Sequence, residues 1–261
     1  MDGNHSVPEF KPINASATYE IVADAIRRAI MLGRFVPGEK LPRERELARQ
    51  LSVSRATLRE AIRILVAEDF VEIRRGATGG TLIRAQQVSA SEYHRLLTEQ
   101  EDTIENVCAY RLAIEAASVR QAAGRRTESH LHTLHTLVKR MTGLTATAEN
   151  RTDPANLPLF LSADAAFHIG IAQASRNPFF VSAVEEVRVA MWMPVAALFR
   201  VIHEDANDHH EAIYRAIEQQ DPEAAAAQMI AHVEMQRDQT RQYMLDATDA
   251  DAPGASVVRL G

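Results

Sequence analysis

The 261-residue sequence predicts a mainly α protein in two parts, three helices closed by a β-hairpin and then an all-α remainder. Three observations carry that expectation. Apolar residues recur at helical spacing from Tyr19 onward, and strand-like runs are confined to FVEIRR (Phe70 to Arg75) and TLIR (Thr81 to Arg84). Charge also divides along the chain: residues 1–84 hold 14 Lys and Arg against 11 Asp and Glu, and residues 85–261 hold 15 against 24. A basic first third that meets an anion, joined to an acidic remainder that does not, is the simplest explanation.

The elements follow in order. YEIVADAIRRAIMLG places Ile21, Val22, Ala25, Ile26, Ala29 and Ile30 at helical spacing, and Gly33 stands where a C-terminal stop is expected. After the turn at Pro37-Gly38, Leu41-Pro42 opens a second helix over residues 43–51, packing through Leu47, Ala48 and Leu51. Ser52 to Ser54 form a short turn with Ser54 as cap. The third helix then runs from Arg55 to about Glu68 and buries Leu58, Ala61, Ile62, Leu65 and Val66. GATGG joins the two strands, its glycines permitting the positive φ of a tight hairpin. Helix, helix, short turn, helix and hairpin is the order of a winged helix-turn-helix. At about 100° per residue Arg55, Arg59 and Arg63 share one quadrant beside the apolar stripe of the third helix.

Domain boundaries follow from composition. A flexible leader covers residues 1–16, the winged helix-turn-helix 17–84, a linker beginning AQQVSASE 85–101, an all-helical domain 102–246 and a disordered tail 247–261. Helices are expected at about 93–99, 103–124, 127–142, 157–175, 178–201, 205–220 and 222–246, with TGLTATAENRTDP from Thr142 as a loop. No run of 18 apolar residues and no secretory leader is readable, so a cytoplasmic protein without a membrane partner is expected. The single cysteine, Cys108, can form neither an internal disulfide nor a multi-cysteine zinc site.

PGEKLPRERELARQLSVSRATLREAIRIL, Pro37 to Leu65, closely resembles the winged-helix signature of GntR-type bacterial transcription regulators, a likeness that extends over about residues 17–84. It implies that Arg45, Arg55, Thr57 and Arg59 meet double-stranded operator DNA, with Arg75 and Gly76 at the wing. Arginine suits that task because it contacts phosphate and reads guanine through two parallel hydrogen bonds. Ala56 stands where the family often has a hydroxyl residue. One recognition helix covers only a half-site, so a homodimer is expected.

The remainder is similar to the FCD effector domain, which implies an antiparallel helical bundle holding a ligand pocket. RLAIE (Arg111 to Glu115), DAAFH (Asp164 to His168) with Arg176-Asn177-Pro178, and the segment from His210 to His232 carry the match. The resemblance places divalent-metal ligands at Asp164, His168, His210 and His232. Spacing agrees for the first two, which at i and i+4 project from one helix face about 6 Å apart. Three imidazoles and a carboxylate suit a transition metal, zinc first, with nickel, manganese or iron also acceptable. Arg111 is the candidate second cation for a small carboxylate metabolite, the alternative being a surface ion pair with Glu115. His130, His132, His135, His203 and His209 receive no role.

The expectation is therefore a metabolite-responsive, metal-containing DNA-binding regulator, a repressor by preference. Two alternatives stand beside it: a metal-free regulator whose histidines only line a pocket, and a metal-dependent enzyme of small organic acids. The second has little support, since HExxH is absent and no general base lies at helical spacing from the ligands.

Overall fold

A computed structural model describes residues 17–76, 79–85, 99, 101–191, 202 and 205–250. The expected leader, the helix at 93–99 save one residue, most of the linker, the end of the helix at 178–201 and the tail beyond Ala250 lie outside the described residues.

Helix α1 (Thr18–Met31) buries Val22, Ala23, Ile26 and Ile30 and ends before Gly33, whose φ of +68° lies in the left-handed region that favours glycine. Helix α2 (Glu44–Gln50) contributes Leu47 and Ala48 to the same core. In α3 (Arg55–Ala67) the Thr57 N–H donates to Ser54 Oγ at 3.0 Å, the expected cap, and Leu58, Ala61, Ile62 and Leu65 face inward. Ile21, Ala25 and Val66 are exposed rather than buried, because Ala23 turns inward on α1 and the α3 stripe closes one position earlier than expected. Strands β1 (Val71–Arg74) and β2 (Gly80–Ile83) pair antiparallel with Val71 opposite Ile83. A side chain at Gly79 would run into the Arg74 carbonyl, so only glycine fits where the hairpin closes on itself. An antiparallel bridge from Lys40 to Leu82 ties the α1–α2 connection to the wing.

The second part is all helix: α4 (Glu101–Arg125), α5 (Glu128–Thr145), α6 (Ala148–Thr152), α7 (Asn156–Ala174), α8 (Pro178–Ala190), α9 (Asp208–Glu218) and α10 (Pro222–Ala250). The expected loop at Thr142 is shorter than its composition suggests, since α5 runs to Thr145 and α6 forms a further turn capped by Thr147. Helix α10 continues to Ala250, past the expected end at residue 246. Leu134 and Met141 of α5, Phe167 and Ile171 of α7, Ile213 and Ile217 of α9 and Met229 of α10 form one apolar core. Helix α7 is long and apolar enough to cross a membrane, but 61% of its apolar window is buried inside the protein, as in the central helix of a bundle.

The two parts touch. Leu32, just after α1, packs with Ile169, Ala172 and Val184 of the bundle. Ser162 Oγ donates to the Gly33 carbonyl at 2.7 Å, and Arg34 pairs with Glu185 at 2.7 Å.

Candidate metal centre and DNA-reading surface

Helix α7 carries Asp164 and His168 one turn apart; α9 supplies His210 from its first turn and α10 supplies His232. Residues separated by more than forty positions thus converge, and one potential ligand atom from each lies within 4.8 Å of all the others. All four are buried. Asp164 Oδ1 lies 2.9 Å from His210 Nε2 and 3.6 Å from His168 Nε2, and the His210 and His232 rings are 4.6 Å apart.

The electrostatics favour ligands in their binding forms. Burial alone would raise the Asp164 carboxyl, but the Arg188 guanidinium, the neighbouring His168 and the hydrogen bond from His210 outweigh it and hold the group well below the usual carboxylate range. Burial, against the pull of Asp164, lowers His210; burial with the neighbouring His210, His168 and Arg111 depresses His232 well below an ordinary histidine. These two imidazoles are therefore neutral near pH 7. Neither ring nitrogen of His232 has a hydrogen-bond partner, and His210 Nδ1 has none either. Buried polar atoms are costly to leave unpaired, about 1–3 kcal/mol each. A cation accepting a lone pair from these rings would relieve part of that cost, so the donor set fits a transition metal.

A second layer surrounds the cluster. Glu115 accepts from His168 Nδ1–H through Oε2 and from Arg111 Nε–H through Oε1. A carboxylate can only accept, so Nδ1 carries a proton, which leaves Nε2, on the side of Asp164, as the atom that could ligate a metal. Arg111 Nη2 approaches that Nε2 at 3.5 Å, and its Nη1 donates to Gln236 Oε1. Burial would raise Glu115, but Arg111 and His168 together hold it far below its ordinary range. The ion pair of Arg111 with Glu115 exists, but not on the surface: the side chains are 1% and 2% exposed. Arg188 of α8 pairs with Asp164 Oδ2. Sequence reasoning missed Glu115, Arg188 and Gln236 as parts of this site. Glu115 stood inside the RLAIE motif, and Arg188 was a lone cation in the apolar run VRVAMW.

At the other end of the chain, Arg45 is exposed on α2, and Arg55, Arg59 and Arg63 are exposed on α3. Glu44 lies 2.5 Å from Arg55 Nε and 3.7 Å from Arg59 Nε, and Arg63 pairs with Glu60 at 2.7 Å. The Thr57 hydroxyl lies 2.8 Å from Ser54 Oγ, beside the cap bond that its own N–H donates. Arg75 and Gly76 are exposed where β1 ends.

A winged helix-turn-helix with an exposed arginine face, joined to a helical domain with a buried polar cluster, defines a DNA-binding transcription regulator with a ligand-binding C-terminal domain. Residues 18–83 match the bacterial regulatory proteins of the gntR family, and residues 106–235 match the FCD domain. The chain is 33% identical to an L-lactate dehydrogenase operon regulatory protein of Escherichia coli, over 81% of this chain and 82% of the relative. It is 30% identical to the HTH-type transcriptional regulator RmpR of Mycobacterium gastri, over 87% and 80% respectively. Among solved structures, E. coli McbR/YncC shares the fold with a TM-score of 0.52 at 17% identity, covering 87% of this chain and 99% of its own. The chain belongs to the GntR family and carries an FCD domain; the family and these relatives are transcription regulators, not enzymes.

Proposed function

We propose that this regulator is a homodimeric repressor that holds a divalent transition metal, zinc first, at Asp164, His168, His210 and His232 and responds to a small carboxylate. The observation that carries the metal reading is the set of unpartnered buried nitrogens on His232 and His210 within the four-residue cluster. A six-coordinate ion held by these four residues would keep positions for an anionic effector, whereas four-coordinate zinc would be filled by them. Arg111 adds a fixed positive charge beside His168, suited to the effector's carboxylate. The name of the E. coli relative, regulator of an L-lactate dehydrogenase operon, supports small hydroxy acids as the first candidates.

In this reading Arg45, Arg55, Thr57 and Arg59 contact operator DNA, and Arg75 and Gly76 approach the backbone at the wing. Glu44 holds Arg55 in place before DNA arrives.

A second reading has its own support. Arg188 already compensates the Asp164 charge, which suits a metal-free regulator with a histidine-lined pocket. Fluorescence anisotropy on a DNA fragment from the chain's own upstream region separates the two readings. L-lactate and related hydroxy acids are expected to weaken DNA binding of zinc-loaded protein and to leave EDTA-stripped protein unaffected. An equal response without metal favours the second reading, and tightened DNA binding contradicts the repressor assignment.

Two further results are expected. Light scattering at micromolar concentration should give about twice 28.9 kDa; a monomer that binds its operator one to one contradicts the dimer. Glu115→Gln keeps the side-chain shape but removes the charge that fixes the His168 tautomer. Zinc affinity in chelator competition should fall about 10- to 100-fold, the usual effect of an outer-shell partner, while unchanged affinity would deny Glu115 that role.

A further inference from the structure

Helix α1 reaches out of its own domain at its C-terminal end. Leu32 is 3% exposed, and its apolar neighbours are Ile169 and Ala172 of α7 and Val184 of α8, not the core of the winged helix. At Gly33 the backbone lies against α7: Ser162 Oγ donates to the Gly33 carbonyl, and a side chain at Gly33 would begin 2.9 Å from Ser162 Cα. With a φ of +68° as well, the position takes glycine for two independent reasons. Glu185 of α8 completes the contact, its carboxylate lying 2.7 Å from Arg34 Nη2 and 3.5 Å from Arg28 Nη2.

This contact is connected on both sides. Val22, Ile26 and Ile30 of α1 share one core with Leu58, Ala61 and Leu65 of α3, so α1 carries the arginine-bearing helix with it. On the bundle side, Ser162 stands two positions before Asp164 and Ile169 directly after His168, while Glu185 lies one turn from Arg188. Helices α7 and α8 thus hold both the polar cluster and the end of α1. Leu32 is seated against both helices, so a change in their spacing moves it.

We propose that the end of α1 is a rigid joint through which the bundle aims α3 at DNA. Leu32 is its apolar anchor, Gly33 its close backbone contact and Glu185 a latch on Arg28 and Arg34. A helix end held only by its own hydrogen bonds frays. Here the N–H groups of Leu32, Gly33 and Arg34 donate to the carbonyls of Arg28, Ile30 and Ala29 at 2.9, 2.9 and 3.0 Å, and the joint keeps those bonds closed. It requires neither metal nor effector at the histidine cluster.

Hydrogen exchange of full-length, metal-free protein, read by mass spectrometry, tests the joint. Ser162→Ala with Glu185→Gln removes both polar contacts from the bundle side, and Leu32→Asn removes the apolar anchor. Amides from Leu32 to Arg34 should exchange at least about tenfold faster in each variant than in the wild type. Unchanged protection of α3 shows that the winged helix is still folded. Protection of Leu32 to Arg34 that survives in both variants would overturn the joint. Its aiming role is read on a palindromic operator fragment from the chain's own upstream region. A spacer lengthened by two base pairs turns the half-sites apart by about 70°. The wild type should then lose at least about tenfold in affinity and the variants less than about threefold, because their α3 helices are free to follow the half-sites. Variants as sensitive to spacing as the wild type would overturn the aiming role. This second experiment rests on the dimer proposed above; a wild type that binds as a monomer ends that reading, and the exchange result then decides the joint alone.

Discussion

Alanine at Arg45, Arg55 and Arg59 together is expected to weaken specific operator binding by at least about a hundredfold in a mobility-shift assay. Each arginine that reads a base or clamps phosphate contributes about 1–3 kcal/mol, and removing an arginine that neutralises a phosphate lowers the salt slope by roughly one unit. The three side chains are exposed on α2 and α3, outside the apolar core of Leu47, Leu58, Ala61 and Leu65, so the variant should fold normally. Glu44 sharpens the expectation. It pairs with Arg55 in the free protein, so DNA must either displace it or use the pair as a unit. Wild-type affinity in the triple variant would refute the assignment of this face.

The second large effect is expected at Asp164. Its carboxylate is buried and pairs with Arg188 on one oxygen and His210 on the other. Asp164→Ala leaves the Arg188 guanidinium buried without its counter-ion. Breaking a buried pair from one side costs about 3–5 kcal/mol, since the remaining charge is uncompensated. Urea unfolding of metal-free protein at pH 7 should show a loss of that size. Asp164→Asn, which keeps the volume and one acceptor oxygen, should lose less. A change below about 1 kcal/mol for the alanine variant would mean that Arg188 finds water or another acceptor.

The DNA-binding half was legible because its helices are short, one-sided and punctuated: Ser54 caps, Gly33 stops, and the hairpin glycines mark the only described strands. Its errors, Ile21, Ala25 and Val66, lie at the edges of apolar stripes, where a rotation of one position decides exposure. The bundle was harder. Helix α7 is buried on most of its circumference, so its composition reads as uniformly apolar and periodicity says little about which face meets which neighbour. Only the Asp164–His168 pair had a local spacing that could be tested; His210 and His232 were reached through resemblance, since convergence from three helices leaves no trace in spacing. Glu115 and Arg188 were invisible as site residues for a related reason. An i, i+4 Arg–Glu pair looks alike on a surface and in a core, and burial, which separates the two, is a tertiary property. Arg188 has no motif at all; its role comes from α8 crossing α7 beside Asp164.

Recognition of the effector through a metal in the histidine cluster can be tested by elemental analysis of untagged, full-length protein, paired with acid titrations of wild type and His210→Ala. Close to one transition metal per chain is expected in the wild type, lost together with acid binding in the variant. Metal-free wild-type protein with a full acid response would contradict it.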